Sequence, residues 1–130
     1  MKNNLSSVLP FLLAADLIIP FILAPTYKGY SHLTQVMSVL GNSKAPWHLL
    51  YNIWLVVFGF AILISILQLY PTVAQVSNSI SIMLFSVIVI YALGGCILSG
   101  IFSVGETKNL ETFSAKIHGY GSVIGFLLLT

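Results

Sequence analysis

The sequence predicts an all-α polytopic transmembrane helix bundle. It has three full spans, a short or truncated fourth helix, and an amphipathic interfacial helix between helices 1 and 2. Only 6% of the 130 residues are charged, against about 25% in soluble domains. Hydrophobic residues make up 58%, and the mean hydropathy is +1.00. These values exclude an ordinary soluble domain and a disordered chain. Residues 1–130 are therefore expected to form one integral domain of the cell membrane.

The longest signal is the region 45–105, which contains no Asp, Glu, Lys or Arg. As one helix it would be roughly 90 Å long, whereas a bilayer core is about 30 Å thick. The region must therefore fold back on itself. Pro71 cannot donate its amide, and polar residues follow it. This pattern predicts helix 2 over 47–70 and helix 3 over 79–103.

Helix 1 is predicted over 5–24, with Pro20 as an interior kink. A cleaved signal peptide is the alternative, but Asp16 lies in the middle of the apolar run, where a signal peptide is uncharged. Helix 4 is predicted over 115–130, with Ser114 as its N-cap. Because that run spans only about 24 Å, it is either a short tilted helix or the start of a truncated one.

The segment between helices 1 and 2 carries its own pattern. Apolar residues recur there at i, i+3, i+4 and i+7, at Leu33, Val36, Met37 and Leu40. The spacing predicts a helix over about 31–40. This helix is too short to cross the membrane, so we expect it to lie in the interface.

Charge and cysteine content exclude several kinds of partner. The formal net charge is +2 without a basic cluster, which excludes a nucleic-acid partner. The single cysteine, Cys96, excludes a disulfide framework and a thiolate zinc cluster. No cofactor is predicted. Small residues at spacings of four, which are Ala92, Cys96 and Gly100, then Gly121 and Gly125, favour close helix packing and permit self-association.

Polar residues of the predicted helices gather near the side where the first and third loops lie. Counted from that side, Asp16 is about 12 Å deep, Asn52 about 7 Å and Ser99 about 6 Å. His48 and His118 lie closer to the helix ends. The sequence therefore predicts a pocket, open on one side, that binds a lipid or small molecule through Asp16, His48, Asn52, Ser99 and His118.

Asp16 is the most informative of these residues, because a carboxylate inside a bilayer needs a partner or a proton. His48, Asn52 and Tyr91 are the candidate partners. Asp16 then either holds helices together or belongs to a substrate, proton or metal site. His118 begins a helix, where the dipole disfavours the imidazolium, so it can act as a base or ligand.

Three functions remain open. The first, which the residues favour, is a non-enzymatic membrane protein with the polar pocket described above. The second is an intramembrane metal-dependent lipid hydrolase, with Asp16, His118 and Glu106 as catalytic candidates. The third is a component of a proton- or cation-coupled transporter. No short metal-ligand motif is present, so no metal site is predicted, and the membrane orientation stays open.

Two stretches resemble a known family. The first contains Tyr30-Ser31 followed by Ser38-Val-Leu-Gly41, and the second contains Gly100-Ile-Phe102, a polar loop and His118-Gly119. Together they resemble the bacterial membrane family called domain of unknown function 998. That family is similar, more distantly, to eukaryotic membrane proteins involved in lipid-anchor remodelling and autophagy.

The resemblance implies family-typical positions but no established activity. These positions are Ser38, Gly41, Phe102, Glu106 and His118. Family members often have a proline and an acidic residue after the phenylalanine; here the proline is missing and Glu106 takes the acidic place. Members generally have about six helices, which implies that this chain lacks the last two.

Overall fold

The computed structural model describes residues 7–105 and 110–130, and every element in them is helical. Four helices follow one another: α1 is Leu9–Leu23, α2 is His48–Ala74, α3 is Asn78–Ile101 and α4 is Phe113–Leu129. A 3₁₀ turn, Ala24–Thr26, extends α1. Helix α1 together with its 3₁₀ turn is 18 residues long, α2 is 27 and α3 is 24, and all three are apolar enough to cross a membrane. Helix α4 is a shorter apolar helix. The predicted all-α fold is confirmed.

The bundle buries a small apolar core and leaves large apolar side chains on its outside. Phe58, Ile62 and Ile66 of α2 pack with Phe85 and Ala92 of α3. By contrast, long apolar side chains on the outer faces are more than half exposed, among them Phe11, Phe21, Leu67, Met83 and Leu127. A surface of this kind is stable only in an apolar solvent, as expected for helices that contact lipid.

Helix α2 is longer than the predicted 47–70 because it continues through Pro71 to Ala74. The proline removes one backbone hydrogen bond, to the carbonyl of Leu67. Leu67 is 73% exposed near the end of the helix, where headgroups and water offer other donors. The chain instead reverses after Ala74, and Ser77 caps α3 by accepting from the backbone N–H of Ile80 at 3.4 Å.

Helix α3 changes its winding partway along. Residues Asn78–Ile90 are α-helical, Tyr91–Leu98 form a π-helical segment, and Ser99–Ile101 complete the last turn. We call Tyr91–Leu98 the π segment. The Ser99 hydroxyl donates to the Gly94 carbonyl at 2.9 Å, which supplies a donor to the widened turn. π-helical turns are rare and frequently lie at functional sites.

Small residues of the π segment let both neighbouring helices approach it. A Cβ placed on Gly94 would collide with the Gly121 carbonyl of α4. On the α2 side, a Cβ on Gly59 would lie 3.0 Å from the Ala92 carbonyl and from the Cys96 side chain. Three of the small residues that the sequence marks for close helix packing, Gly121, Ala92 and Cys96, lie at these contacts.

The predicted interfacial helix over 31–40 is wrong. The structure has turns followed by a short 3₁₀ helix, Met37–Gly41. Leu33 is 96% exposed, whereas Val39 and Leu40 are buried, so the expected stripe does not share one face. We call residues 27–47 loop 1.

Local side-chain hydrogen bonds explain the departure. The Ser31 backbone N–H donates to the Gln35 side chain at 3.1 Å, and the Ser31 hydroxyl accepts from the Leu33 N–H at 3.3 Å. Such bonds compete with the helical ladder. The spacing of apolar residues therefore predicted a helix where local side-chain hydrogen bonds hold the backbone in turns.

Helix α4 begins earlier than the predicted 115–130. Thr112 is the N-cap, since its hydroxyl accepts from the Ala115 N–H at 3.1 Å. Ser114, the predicted cap, donates instead to the Ser103 carbonyl at 3.0 Å and so fastens the preceding loop to the helix. Either hydroxyl suits a cap, and the extra contact with Ser103 decides between them.

Candidate functional site

Asp16 and Trp54 form a hydrogen bond between α1 and α2, two of the helices that are apolar and long enough to cross a membrane. The Trp54 Nε1–H donates to Asp16 Oδ1 at 2.9 Å. Asp16 lies about two turns before the end of α1, and Trp54 about two turns after the start of α2. Because the two helices run in opposite directions, both side chains reach a similar depth. Asp16 is half-buried, so part of its carboxyl surface stays accessible.

Three further residues lie near this carboxyl. Tyr51, on the same face of α2 as Trp54, is 5% exposed, and Cys96, in the π segment, is 2% exposed. Tyr91 begins the π segment and contacts Cys96. All three lie close enough to Asp16 to interact with it electrostatically. We call these five residues the Asp16 cluster; it joins α1, α2 and the π segment.

A second polar group joins the end of α3 to α4. His118 Nδ1 lies 2.8 Å from the Phe102 carbonyl and 3.2 Å from the Ser99 carbonyl. A carbonyl only accepts, so the Nδ1–H of His118 is the donor to both carbonyls. The Ser99 and Ser122 hydroxyls are 2.7 Å apart. Since Ser99 donates to Gly94, Ser122 is the donor of that pair.

His48 and Asn52 attach loop 1 to the start of α2. The Asn52 Nδ2 donates to the Gly41 carbonyl at 3.0 Å, and Gly41 packs so closely on this amide that a Cβ would collide with it. His48 Nδ1 donates to the Ala45 carbonyl at 2.8 Å. Both side chains thus donate hydrogen bonds to backbone carbonyls of loop 1.

The third histidine belongs to an aromatic contact within loop 1. Tyr30 is hydrogen-bonded to His32 Nδ1 at 3.0 Å, and the Phe21 ring lies 4.5 Å from the His32 ring. Burial raises the pKa of the Tyr30 phenol. Among residues 7–105 and 110–130, no group of three His, Cys, Asp or Glu side chains is placed to hold a metal ion.

A shallow groove of about 320 Å³ runs along α2 and the end of α3. Asn52 and Gly100 line it together with aliphatic side chains, which are Leu49, Ile53, Val56, Val57 and Ile101. Asp16 does not line this groove. The groove is open on the outer face of the bundle.

Comparison with known families decides the relationship of this chain. The family model described as "Protein of unknown function (DUF998)" matches residues 12–130. The chain belongs to DUF998. No curated protein and no solved structure matches it.

The DUF998 match confirms the resemblance drawn from the sequence, and it covers all the candidate site residues. Two family-typical positions act through their carbonyls. Gly41 accepts from Asn52, and Phe102 accepts from His118. His118 is also a family-typical position, and its side chain is 5% exposed. Glu106 lies outside the residues that the structure describes.

The predicted pocket residues of this DUF998 chain separate into three groups. Asp16 bonds to Trp54, whereas His48 and Asn52 bond to loop 1. Ser99 and His118 come together at the end of α3. Among the described residues, no hydrogen bond joins Asp16 to His118. None of the three expected partners of Asp16 donates a hydrogen bond to it, although Tyr91 lies nearby.

Sequence reasoning missed Trp54 as the partner of Asp16. A signal was present, because a tryptophan inside a span needs an acceptor for its indole N–H. Counted from the loop 1 side, Trp54 and Asp16 also lie at nearly the same depth. Matching donors to acceptors at equal depth would have paired them.

Proposed function

We propose that this DUF998 chain is a multi-pass integral protein of the cell membrane that binds a lipid or small molecule through its Asp16 cluster. The ligand enters from the side on which loop 1 lies. The three long apolar helices and their exposed apolar faces support the membrane assignment. The grouping of Asp16, Trp54 and two tyrosines across three helices supports the binding role.

One observation carries the proposal: a half-buried carboxyl inside an apolar helix whose hydrogen-bond donor, among the described residues, is the neutral Trp54 indole. A carboxylate at mid-membrane costs at least about 2.5–3.5 kcal/mol. One hydrogen bond from the indole to the charged carboxylate offsets about 1.5–3 kcal/mol of this and leaves the charge itself unpaired. A side chain kept only to hold two helices together would not need a charge. The remaining cost favours a ligand-binding role for Asp16.

The winding of α3 beside Asp16 supports the same conclusion. The π segment contributes Tyr91 and Cys96 to the cluster, and such segments are frequent at functional sites. Binding sites in helical membrane proteins are formed between helices, where polar groups face the interior. The Asp16 cluster lies at such a junction.

The proposal is tested by asking which molecules stay bound during purification. The chain is purified in mild detergent, and native mass spectrometry compares the wild type with Asp16→Asn. The asparagine keeps an acceptor for Trp54 and removes only the charge. The matched control is Ser86→Ala, because Ser86 is exposed and bonds only within its own helix, to the Ile82 carbonyl.

We expect the wild type and Ser86→Ala to retain a ligand that Asp16→Asn has lost. Size-exclusion chromatography and circular dichroism establish that all three proteins are folded. If folded Asp16→Asn retains the same ligand in the same amount, Asp16 serves helix packing alone and the proposal is wrong.

A further inference from the structure

We infer that the ligand of the Asp16 cluster carries a protonated amine, an alkylammonium group that the Asp16 carboxylate binds directly. This inference rests on the proposed function and names the chemical class of its ligand. The charges and aromatic rings around Asp16 favour a cationic amphiphile over a neutral or an anionic one.

The charge of the Asp16 carboxylate favours a cationic ligand. The Trp54 indole is a neutral donor with one N–H, so it leaves the charge of the carboxylate uncompensated. Helices α1, α2 and α3 contain no lysine or arginine. An intramembrane carboxylate is usually paired with a basic group, and here no such group comes from these three helices. A ligand that brings its own positive charge completes the pair.

The aromatic surroundings of Asp16 also favour a cationic ligand. Trp54, the hydrogen-bond donor to Asp16, stacks on Phe58 with ring centroids 5.9 Å apart, and Tyr51 and Tyr91, on two different helices, interact with Asp16 electrostatically. Aromatic faces attract ammonium groups, by about 2 kcal/mol or more where water is excluded. A phosphate or carboxylate ligand would be repelled by Asp16 and would gain nothing from these rings.

The apolar surroundings of the exposed part of Asp16 favour an amphiphilic ligand. The exposed part of Asp16 lies in a span whose neighbouring side chains, Leu12, Leu13, Leu17 and Ile19, are apolar and half-buried or exposed. An amphiphile presents an ammonium group beside an alkyl chain, which matches a carboxyl set in an apolar wall. A small hydrophilic amine would match only the carboxyl.

Fluorescence of Trp54 tests the inference directly. Trp47, the second of the two tryptophans, is 55% exposed at the start of α2. In a Trp47→Phe background, emission reports on the indole that contacts Asp16. The protein is placed in phosphatidylcholine nanodiscs and titrated with dodecylamine, with 1-dodecanol as the neutral probe of equal chain length. Asp16→Asn and Ser86→Ala are tested in the same background.

We expect a saturable change in Trp54 emission with dodecylamine. Affinity should fall about tenfold or more in Asp16→Asn, as for the loss of a charge-assisted hydrogen bond, and stay unchanged in Ser86→Ala. Dodecanol should bind at least about tenfold more weakly than dodecylamine to the wild type.

Two results would overturn the inference in different ways. If dodecanol binds as tightly as dodecylamine while Asp16→Asn still loses its retained ligand in mass spectrometry, the site exists but its ligand is not an amine. If neither probe saturates and Asp16→Asn retains the native ligand, both the inference and the proposed function fail.

Discussion

Replacing Gly94 by alanine should separate α3 from α4. A Cβ at this position collides with the carbonyl oxygen of Gly121 and lies 3.0 Å from its carbonyl carbon. Both are backbone atoms, so no side-chain rotation can relieve the contact. The two helices must move apart or the π segment must rewind, and either change loosens the small-residue contact between them.

The net magnitude follows from two opposing terms. Forcing an extra carbon into a packed interface costs about 1–3 kcal/mol. Alanine favours a helix over glycine by about 0.8–1 kcal/mol. We therefore expect Gly94→Ala to lower the free energy of unfolding by up to about 2 kcal/mol.

Gly119→Ala is the matched control for helix propensity. A Cβ on Gly119 meets the end of the Leu110 side chain at 2.6 Å. Leu110 is 42% exposed and can rotate away. This variant should be as stable as the wild type or slightly more so.

The measurement is unfolding in mixed micelles by increasing sodium dodecyl sulfate, followed by circular dichroism. The argument from backbone contact requires Gly94→Ala to unfold at clearly lower detergent fraction than Gly119→Ala. Equal midpoints for the two variants would refute it, since they share the propensity gain and differ only in what the new carbon meets.

Three more experiments probe the contacts that hold the loops and α4 in place. Thr112→Ala should destabilise the start of α4 by about 1 kcal/mol, seen as faster hydrogen exchange in its first turn; unchanged exchange would contradict the cap. A double-mutant cycle of Ser99→Ala and Ser122→Ala should give a coupling of about 0.6 kcal/mol, and strictly additive unfolding energies would contradict their hydrogen bond. Asn52→Leu should release loop 1 and speed trypsin cleavage after Lys44, whereas an unchanged rate would mean that other contacts hold the loop.

Long-range properties of the fold could be predicted because they depend on composition and span length. The uncharged region is too long for one crossing, which required the reversal between α2 and α3. The end of α2 could not be predicted to within a turn, because Pro71 near an exposed helix end loses only one hydrogen bond. The segment 31–40 failed because Ser31 and Gln35 bond locally, and hydrophobic spacing does not register such bonds.

The candidate site was predictable residue by residue but not pair by pair. Asp16, Asn52, Ser99 and His118 are polar in apolar helices, and the sequence alone marks them. Their partners are mostly backbone carbonyls, at Gly41, Phe102 and Ser99. Every residue has a carbonyl, so sequence carries no signal for which one is used. The π segment has no sequence signature of its own either, although it positions Tyr91 and Cys96.

His118 and Asp16 differ in how their hydrogen-bonding capacity is used, and this difference favours a packing role for one and a binding role for the other. The one proton on His118 Nδ1 is shared by two carbonyls, and the histidine is almost fully enclosed. Asp16 can accept several hydrogen bonds, yet its hydrogen-bonded donor is a neutral indole, and the carboxyl is half-buried. If both residues served packing alone, the more costly group would be expected to have the more complete set of partners. The carboxylate is the more costly group and has the less complete set, which is why we propose the ligand site at Asp16 and a packing role for His118.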